Sequence, residues 1–520
     1  MAGNNYLFLH LFLRKQQALM GIIRKQSIYS SIFTYIGFAI GALNLLVLLT
    51  PKFGFFTLDE SGLTRLFLDF GNLFAVIAAM GSLTTFIKFY PFHHTYLKKE
   101  QNDLPFIVIL VCTAGAVLLT ICIFVFEDFF ARKFSRNSAL FIQHFRLVIP
   151  LTISMIFFNL FEAFAWMLQK TVVSNFVKEV MLRVFALIAI VIFYLGWISI
   201  DTFFILYTLI YFPAAAYLAY VVFKDGRIKI QTRISSVTRK LYSKMLTFTV
   251  YHFTGGVFQI LPRTMDLLMI ASVVEGGLGK ALIYSIPTYL VTVMEVPQRS
   301  MMGIGSSTIS ESWKRNDVKN IRTIYRKSSI NLLAAGLFIF GLIFPNLDNL
   351  VRFMGEEFMP VKLLFLILGI GKLLDLMMGL NNLILGFSKY WKTDFYTNII
   401  FIIFSVGITY LLTKKFGMTG TALGSALTMF GYNLLRFIFI YRFLKMQPFT
   451  PKTLIVLALG IAALLITCNI PYAGNLYMDT FIRSITFLIL FAPGLIYFNI
   501  SPDINELYRM SMCKIFKRNQ

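Results

Sequence analysis

Long apolar segments alternate with short polar gaps along almost the whole chain. Each segment is long enough, or nearly so, to cross a hydrocarbon core that requires ~20 apolar residues per helix. The pattern therefore predicts an all-α polytopic membrane protein with about 14 transmembrane helices. The predicted spans are 28–50, 66–87, 105–126, 141–166, 176–195, 202–223, 246–274, 281–305, 329–345, 361–386, 395–413, 418–441, 453–470 and 481–500.

Lysine and arginine fall mainly in every second gap between the spans. With the N-terminal segment, the C-terminal tail and the beginning of the span 176–195, these gaps hold 32 of the 48 basic residues. The positive-inside rule assigns such gaps to the cytoplasm, so we expect both termini and the loops 224–245 and 310–328 on that side. The formal net charge of +24 follows from this bias. Because the basic residues are dispersed over loops, we expect no nucleic-acid partner.

The composition leaves little room for catalysis. Apolar residues make up 58% of the chain and charged residues 14%, against ~25% charged in an ordinary soluble domain. No gap between spans is long enough for a soluble catalytic domain. Three of the four cysteines lie in apolar segments, which argues against a disulfide framework or a zinc site. We therefore expect a protein that is not an enzyme and that carries no metal or cofactor.

The chain resembles itself at an offset of about 215–222 residues. The repeat predicts two six-span lobes that enter the membrane in the same sense, related by an axis along the membrane normal. Such an arrangement suits lobes that rock around a central cavity. The matched positions are Gly62–Arg65 with Gly277–Lys280, Asn44 with Asp266, and Gly196 with Gly417.

The repeat and the charge pattern together predict the domain organisation. An interfacial N-terminal segment is followed by the two lobes, which a basic cytoplasmic linker joins, and then by two further helices and a cytoplasmic tail. These parts are expected at 1–25, 26–223, 224–245, 246–445, 446–500 and 501–520; the two lobes are 26–223 and 246–445.

Five runs of sequence resemble the bacterial polysaccharide-biosynthesis flippases of the multidrug/oligosaccharidyl-lipid/polysaccharide exporter superfamily. The runs are Gln26–Gly37, Gly41–Asn44, Gly62–Arg65, Tyr284–Pro287 and Phe416–Gly424. The resemblance implies a flippase that moves a polyprenyl-pyrophosphate-linked oligosaccharide across the bacterial cytoplasmic membrane for cell-surface polysaccharide biosynthesis. It also implies membrane lipid as a partner, with a polysaccharide polymerase and glycosyltransferases as further partners.

One departure from the superfamily narrows this interpretation. Lipid II flippases carry an arginine pair shortly after an Asn-Leu-Leu in the second span, whereas here Asn72-Leu73 is followed by apolar residues. The resemblance therefore favours a capsule, O-antigen or exopolysaccharide pathway. Two alternatives stay open: a cation-coupled multidrug exporter of the same fold, and a membrane-embedded polysaccharide polymerase or ligase. The short external gaps disfavour the enzyme.

Polar groups inside apolar helices are candidate site residues, because each ionisable group costs at least ~2.5–3.5 kcal/mol in lipid. Cations and amides suit a pyrophosphate-linked sugar, and the candidates are Arg263, Arg299, Lys88, Arg65, Asn44 and Asn72. Carboxylates suit an ion-coupling site, and the candidates are Asp69, Glu162 and Asp266. Helical spacing also predicts three ion pairs, which leaves open whether they are structural or bind substrate: Arg263–Asp266, Glu295–Arg299 and Lys372–Asp375.

Overall fold

The computed structural model describes Tyr29, residues 32–501, Asp503 and Asn505 of the 520-residue chain. All regular elements in this part are helical, which confirms the predicted all-α class. The expected interfacial segment at 1–25 and nearly all of the expected tail at 501–520 lie outside the described residues.

The chain forms two compact units, Met1–Ile260 and Leu261–Gln520. The described helices of the first unit are α1 (Ile32–Leu48), α2 (Leu58–Ala79), α3 (Ser82–Tyr96), α4 (Leu104–Val125), α5 (Glu127–Phe134), α6 (Ala139–Gln143), α7 (Val148–Met167), α8 (Thr171–Phe176), α9 (Leu182–Tyr194), α10 (Ile200–Thr208), α11 (Tyr211–Lys224) and the beginning of α12 (Ser236–Val273). Helix α12 crosses the boundary between the units and contains Pro262.

The second unit is built from the end of α12 and the helices that follow it. They are α13 (Gly277–Met294), α14 (Val296–Lys314), α15 (Val318–Ile343), α16 (Leu347–Met354), α17 (Pro360–Met377), α18 (Asn381–Phe387), α19 (Trp391–Leu444), α20 (Pro451–Cys468) and α21 (Leu476–Tyr497).

Among the described residues, eight helices are long and apolar enough to cross a membrane, or up to ten if each of two bent pairs forms one span. Helix α19, with 54 residues, holds more than one of the predicted spans. Gly417 interrupts it with φ 59° and ψ −138°, between the predicted spans 395–413 and 418–441. The chain is thus a multi-pass membrane protein.

The predicted span 66–87 is wrong, because two helices share this region. Helix α2 begins at Leu58, where Thr57 and Glu60 form a reciprocal capping box. It ends at Met80 (φ 48°) and Gly81 (φ 71°), a left-handed turn that α-helical backbone cannot continue through. The apolar pattern runs through this turn and gives no sign of it. Arg65 therefore lies inside α2, and Lys88 lies in the separate helix α3.

The two C-terminal helices pack against α15 and belong to the second unit. Leu333 and Leu337 of α15 share one apolar cluster with Val456 of α20 and Phe487 of α21. Asp479 and Arg483 lie in the first turns of α21. They form a buried ion pair with an N–O distance of 2.6 Å. These helices therefore share a core with the second lobe.

We predict that the loop after α11 faces the cytoplasm, because it belongs to the basic set of gaps. A cysteine at the exposed Thr232 should resist a membrane-impermeant thiol reagent in intact cells and react after permeabilisation. Thr238 is unsuitable for this test, since it is 5% exposed.

The native Cys468 provides the control for this measurement. It is exposed at the end of α20, next to a gap that the charge pattern places outside the cell, so it should react with the reagent in intact cells. Labelling of Thr232→Cys with protection of Cys468 would reverse the predicted orientation.

Candidate functional site

Lys372 of α17 is the centre of a buried polar network in the second unit. Its ammonium is 2.7 Å from Asp375 Oδ2 and 3.2 Å from Glu295 Oε1, and it donates to Gln298 Oε1 at 2.9 Å. The side chain is 4% exposed. The predicted Lys372–Asp375 pair is therefore present. It is one edge of a larger network, because α14 brings two more oxygen atoms to the same ammonium.

Amide side chains complete the hydrogen bonding around Asp375. Asn433 of α19 donates to Asp375 Oδ1 at 2.9 Å, and Asn381 of α18 donates to Asn433 Oδ1 at 2.8 Å. Gln298 donates to Asp375 Oδ2 at 3.2 Å. Four helices thus contribute to a network whose charged groups are matched, as burial in a low-dielectric interior requires.

Arg299 lies at the accessible end of this network. It forms the predicted pair with Glu295 at 3.1 Å, yet its side chain is 53% exposed while that of Glu295 is 8% exposed. Glu295 also has Lys372 as a partner. The guanidinium can therefore turn to an anionic ligand without leaving a buried carboxylate unpaired.

Asp266 lies in a second polar cluster of the same unit. Its Oδ2 accepts hydrogen bonds from the hydroxyls of Tyr284 in α13, at 3.0 Å, and Ser425 in α19, at 2.5 Å. The side chain of Arg263 lies outside the described part of the structure, so the predicted Arg263–Asp266 pair stays a prediction. Two hydroxyl donors around a carboxylate form a polar site within an apolar helix bundle.

Glu162, an ion-coupling candidate, is paired with Lys178. Lys178 Nζ lies 3.0 Å from Glu162 Oε2 and 3.1 Å from Oε1. Glu162 is buried in α7, whereas the Lys178 side chain is 44% exposed. The charge pattern groups Lys178, at the beginning of the predicted span 176–195, with the preceding basic gap. A π-helical turn at Val177–Met181 holds it against α7. Such turns insert an extra residue and redirect side chains.

Asn44 lies in a neighbouring cluster of the first unit. It is 5% exposed in a π-helical stretch of α1, and its amide donates to the carbonyl of Arg183 at 3.0 Å. Its Oδ1 has no hydrogen-bond partner among the described residues. Arg183 pairs with Glu179 at 3.0 Å, and Tyr211 is within electrostatic range of Glu162, Glu179 and Arg183. Asn44 and Glu162 thus belong to one polar region.

The other candidates of the first unit do not join this region through any described hydrogen bond or ion pair. Arg65, Asp69 and Asn72 follow one another along α2. Asn72 is exposed, and Arg65 and Asp69 are partly buried. Asp69 has an interaction partner. Lys88 is exposed in α3, with its ammonium 3.7 Å from the centroid of the Phe248 ring, a cation–π contact.

Sequence reasoning missed most partners of the candidates. The missed partners are polar residues within predicted spans: Gln298, Asn433, Tyr284 and Ser425. A polar side chain in an apolar segment is the only sequence signal that could have identified them as site residues. Lys178 also lies within a predicted span, 176–195, but the charge pattern groups it with the basic residues of the preceding gap.

Solved structures are similar to this chain over most of its length. The lipid II flippase MurJ, in an inward closed conformation, has a TM-score of 0.67 at 14% identity, covering 91% of this chain and 99% of that chain. An inward-facing multidrug resistance MATE family transporter of the MOP superfamily has a TM-score of 0.61 at 14% identity, covering 79% and 97%. The Vibrio cholerae MATE transporter VcmN, in a bent form, has 0.51 at 13%, covering 80% and 96%.

The chain has the fold of the multidrug/oligosaccharidyl-lipid/polysaccharide exporter (MOP) superfamily. The resemblance found in the sequence is thereby confirmed at the level of fold. No family model matches the chain, and no curated protein matches it in sequence. At 14% identity the similarity establishes the MOP fold, and the substrates of these proteins do not carry over with it.

We predict that Lys372→Met lowers the stability of the protein by about 3 kcal/mol or more, because it leaves buried carboxylates without their central cation. Lys362→Met is the matched control on the same helix. Lys362 pairs with Asp348 at 2.8 Å, but both side chains are about half exposed, so its loss should cost ~1 kcal/mol or less.

Thermal unfolding of both variants in the same detergent measures this difference. The double variant Lys372→Met with Asp375→Asn should recover part of the loss, since both charges are removed together. Equal unfolding temperatures for Lys372→Met and Lys362→Met would contradict a structural role for the network.

Proposed function

We propose that this protein is a flippase that moves a polyprenyl-pyrophosphate-linked oligosaccharide from the inner to the outer leaflet of the bacterial cytoplasmic membrane. The two lobes would work by alternating access, and the product would feed cell-surface polysaccharide biosynthesis. Glycosyltransferases would supply the substrate and a polymerase would consume it. Both termini would lie in the cytoplasm, as the charge pattern predicts.

The observation that carries this proposal is the extent of the similarity to the lipid II flippase MurJ. That protein covers 91% of this chain, whereas the inward-facing MATE transporter covers 79%. Both are themselves covered almost completely, so the extra part of this chain has a counterpart only in the flippase of this pair.

Arg299 is the residue that we assign to the pyrophosphate. Its guanidinium offers a planar pair of donors that matches phosphate oxygens, and half of its side chain is accessible. Arg263, Arg65 and Lys88 remain candidates for further phosphate contacts, and Asn44 and Asn72 for sugar hydroxyls. Lys88, which is exposed in α3, suits the first capture of the headgroup.

The alternative is a cation-coupled multidrug exporter of the same fold. The carboxylate of Asp266, which is held by two hydroxyls, favours coupling to an ion. Coupling does not separate the two functions, because a flippase also needs an energy source. What separates them is the cargo: a drug exporter binds hydrophobic cations, and the accessible charge of Arg299 would repel them.

We predict that Arg299→Gln lowers flipping of a polyprenyl-pyrophosphate oligosaccharide by ~10-fold or more, since a charge-assisted hydrogen bond contributes ~1.5–3 kcal/mol. The variant should fold, because Glu295 keeps Lys372 as its partner. Arg315→Gln is the matched control. It removes an exposed guanidinium from the same helix that also has an i,i+4 glutamate, Glu311.

The measurement uses proteoliposomes and periodate, which oxidises only sugars on the accessible leaflet. Wild-type protein and Arg315→Gln should expose the internal sugars at the same rate. Efflux of cationic dyes without any flipping would establish the exporter instead, and equal flipping by Arg299→Gln would remove the arginine from the substrate site.

We predict that Asp266, and not Glu162, couples transport to an ion gradient. Asp266→Asn keeps an oxygen that accepts from Tyr284 and Ser425, so the fold should persist while flipping loses its response to an imposed proton or sodium gradient. Glu162→Gln should keep that response, because Lys178 already neutralises the wild-type carboxylate. The measurement is the flipping rate of each variant at each imposed gradient. An unchanged response in Asp266→Asn would exclude Asp266 as the coupling group.

A further inference from the structure

A cavity of about 450 Å³ opens at the C-terminal end of α3 in the first unit. None of its lining residues is a candidate residue of the transport site, although Lys88 lies two residues before Tyr90 in α3. Residues from α3, the turn that follows it and the linker line the cavity: Tyr90, His94, Leu97, Lys98, Lys99, Glu100, Asn102 and Arg227.

Two buried hydrogen-bond donors line this cavity. Asn102 is 5% exposed, and its Oδ1 accepts from the backbone N–H of Leu104 at 3.2 Å. Its amide NH₂ has no described partner. Tyr90 is 3% exposed, and its hydroxyl lies in the electrostatic field of Arg227 and Asp225. Neutral donors held by the fold are the groups that complete an anion site once cations have attracted the ligand.

The charges around the cavity are unbalanced. Lys170 and Arg227 share the single carboxylate of Asp225, at 2.9 and 2.5 Å, and Lys229 neutralises Glu100 at 2.8 Å. The hydrogen bond from Arg227, together with that from Lys170, lowers the pKa of Asp225 below its ordinary value, so this carboxylate stays ionised near neutral pH. With the two lysines that line the cavity, five cations meet two anions, which leaves a net charge of +3.

Exposed aromatic rings place the cavity at the level of the bilayer surface. Phe92 and Tyr96 of α3 are 49% and 73% exposed, and Tyr220 near the end of α11 is 58% exposed. Lys224 donates to the Tyr220 hydroxyl at 3.0 Å. Aromatic side chains with lysines at helix ends are typical of the lipid–water interface. A ligand in the cavity would therefore be level with lipid headgroups.

We propose that this cavity binds the phosphate of an anionic lipid headgroup in the leaflet that the charge pattern predicts to be cytoplasmic. Lys98 and Lys99 attract the phosphate, and Tyr90 and Asn102 donate hydrogen bonds to it. Basic pockets on the cytoplasmic side of helical membrane proteins bind anionic headgroups by this combination of charge and shape. The bound lipid would connect α3 to the linker that carries Arg227.

The test uses the purified full-length protein in detergent, with phosphatidylglycerol and phosphatidylcholine as probes. A ligand that binds the folded state raises the unfolding temperature, and the shift grows with the logarithm of the ligand concentration once this exceeds Kd. Phosphatidylglycerol should stabilise the wild-type protein, and phosphatidylcholine should not. Lys98→Gln with Lys99→Gln should weaken the apparent affinity ~10-fold or more, and Tyr90→Phe, which removes only a hydroxyl, should weaken it by a smaller factor.

The matched control is Arg239→Gln with Lys240→Gln. It removes the same charge from an exposed pair in the same predicted cytoplasmic region but outside the cavity, so it should respond to phosphatidylglycerol as the wild type does. An equal loss of affinity in the control would show that phosphatidylglycerol responds only to the total positive charge of the protein, which would overturn the proposal.

Inorganic pyrophosphate distinguishes the two sources of phosphate. Stabilisation by pyrophosphate, with no stabilisation by phosphatidylglycerol, would reject the lipid headgroup as the ligand. The assay does not depend on transport, so the failure of either proposal leaves the other standing.

Discussion

The energetic cost of placing a charge away from water governs the polar interior of this protein. An isolated ammonium or carboxylate in a low-dielectric interior is strongly unfavourable, whereas a matched and hydrogen-bonded set is tolerated. Lys372 shows the result most clearly, since two carboxylates and an amide oxygen surround one ammonium. The same requirement explains why Glu162 has Lys178 beside it and why Asp479 has Arg483. The role of each buried charge then depends on the oppositely charged group with which it pairs.

Accessibility separates the charges that hold the structure from those that are available to a ligand. Lys372 is enclosed by its partners, so changing it disturbs the fold before it can inform on transport. Arg299 belongs to the same network but is half exposed, and its carboxylate has a second cation. A charge that is not needed to neutralise a buried partner can bind a phosphate and release it again. Repeated transport requires this property, because a ligand held too tightly would not leave.

Helix breaks decide where the polar groups are presented. The left-handed turn at Met80 and Gly81 divides what reads as one apolar segment, and it gives Arg65 and Lys88 separate helices. The π-helical turn at Val177–Met181 brings Lys178 to Glu162. Positive φ at Gly196 and at Gly417, one in each unit, marks breaks at two positions that the internal repeat had already matched. Backbone geometry and repeat therefore agree at these positions.

Ion pairs within one helix could be predicted, because helical periodicity alone fixes them. Glu295–Arg299 and Lys372–Asp375 are both present for this reason. Pairs between helices could not be predicted, since their formation depends on packing angles and local turns that no spacing encodes. Glu162–Lys178 and the contact of Lys372 with Glu295 belong to this second kind. The resemblance to the MOP superfamily rests on short runs, of which Phe416–Gly424 spans the break at Gly417, whereas Tyr284–Pro287 lies within α13.

The sequence by itself determined the helical class, the membrane environment and the expected orientation. These properties follow from apolar length and from the distribution of basic residues, which are local and additive along the chain. Only the tertiary structure decided which buried charges neutralise one another, that α20 and α21 share a core with α15, and that a basic cavity forms beside α3. Those features join residues that are distant in sequence, and their energy depends on distance and burial, which exist only once the helices have packed.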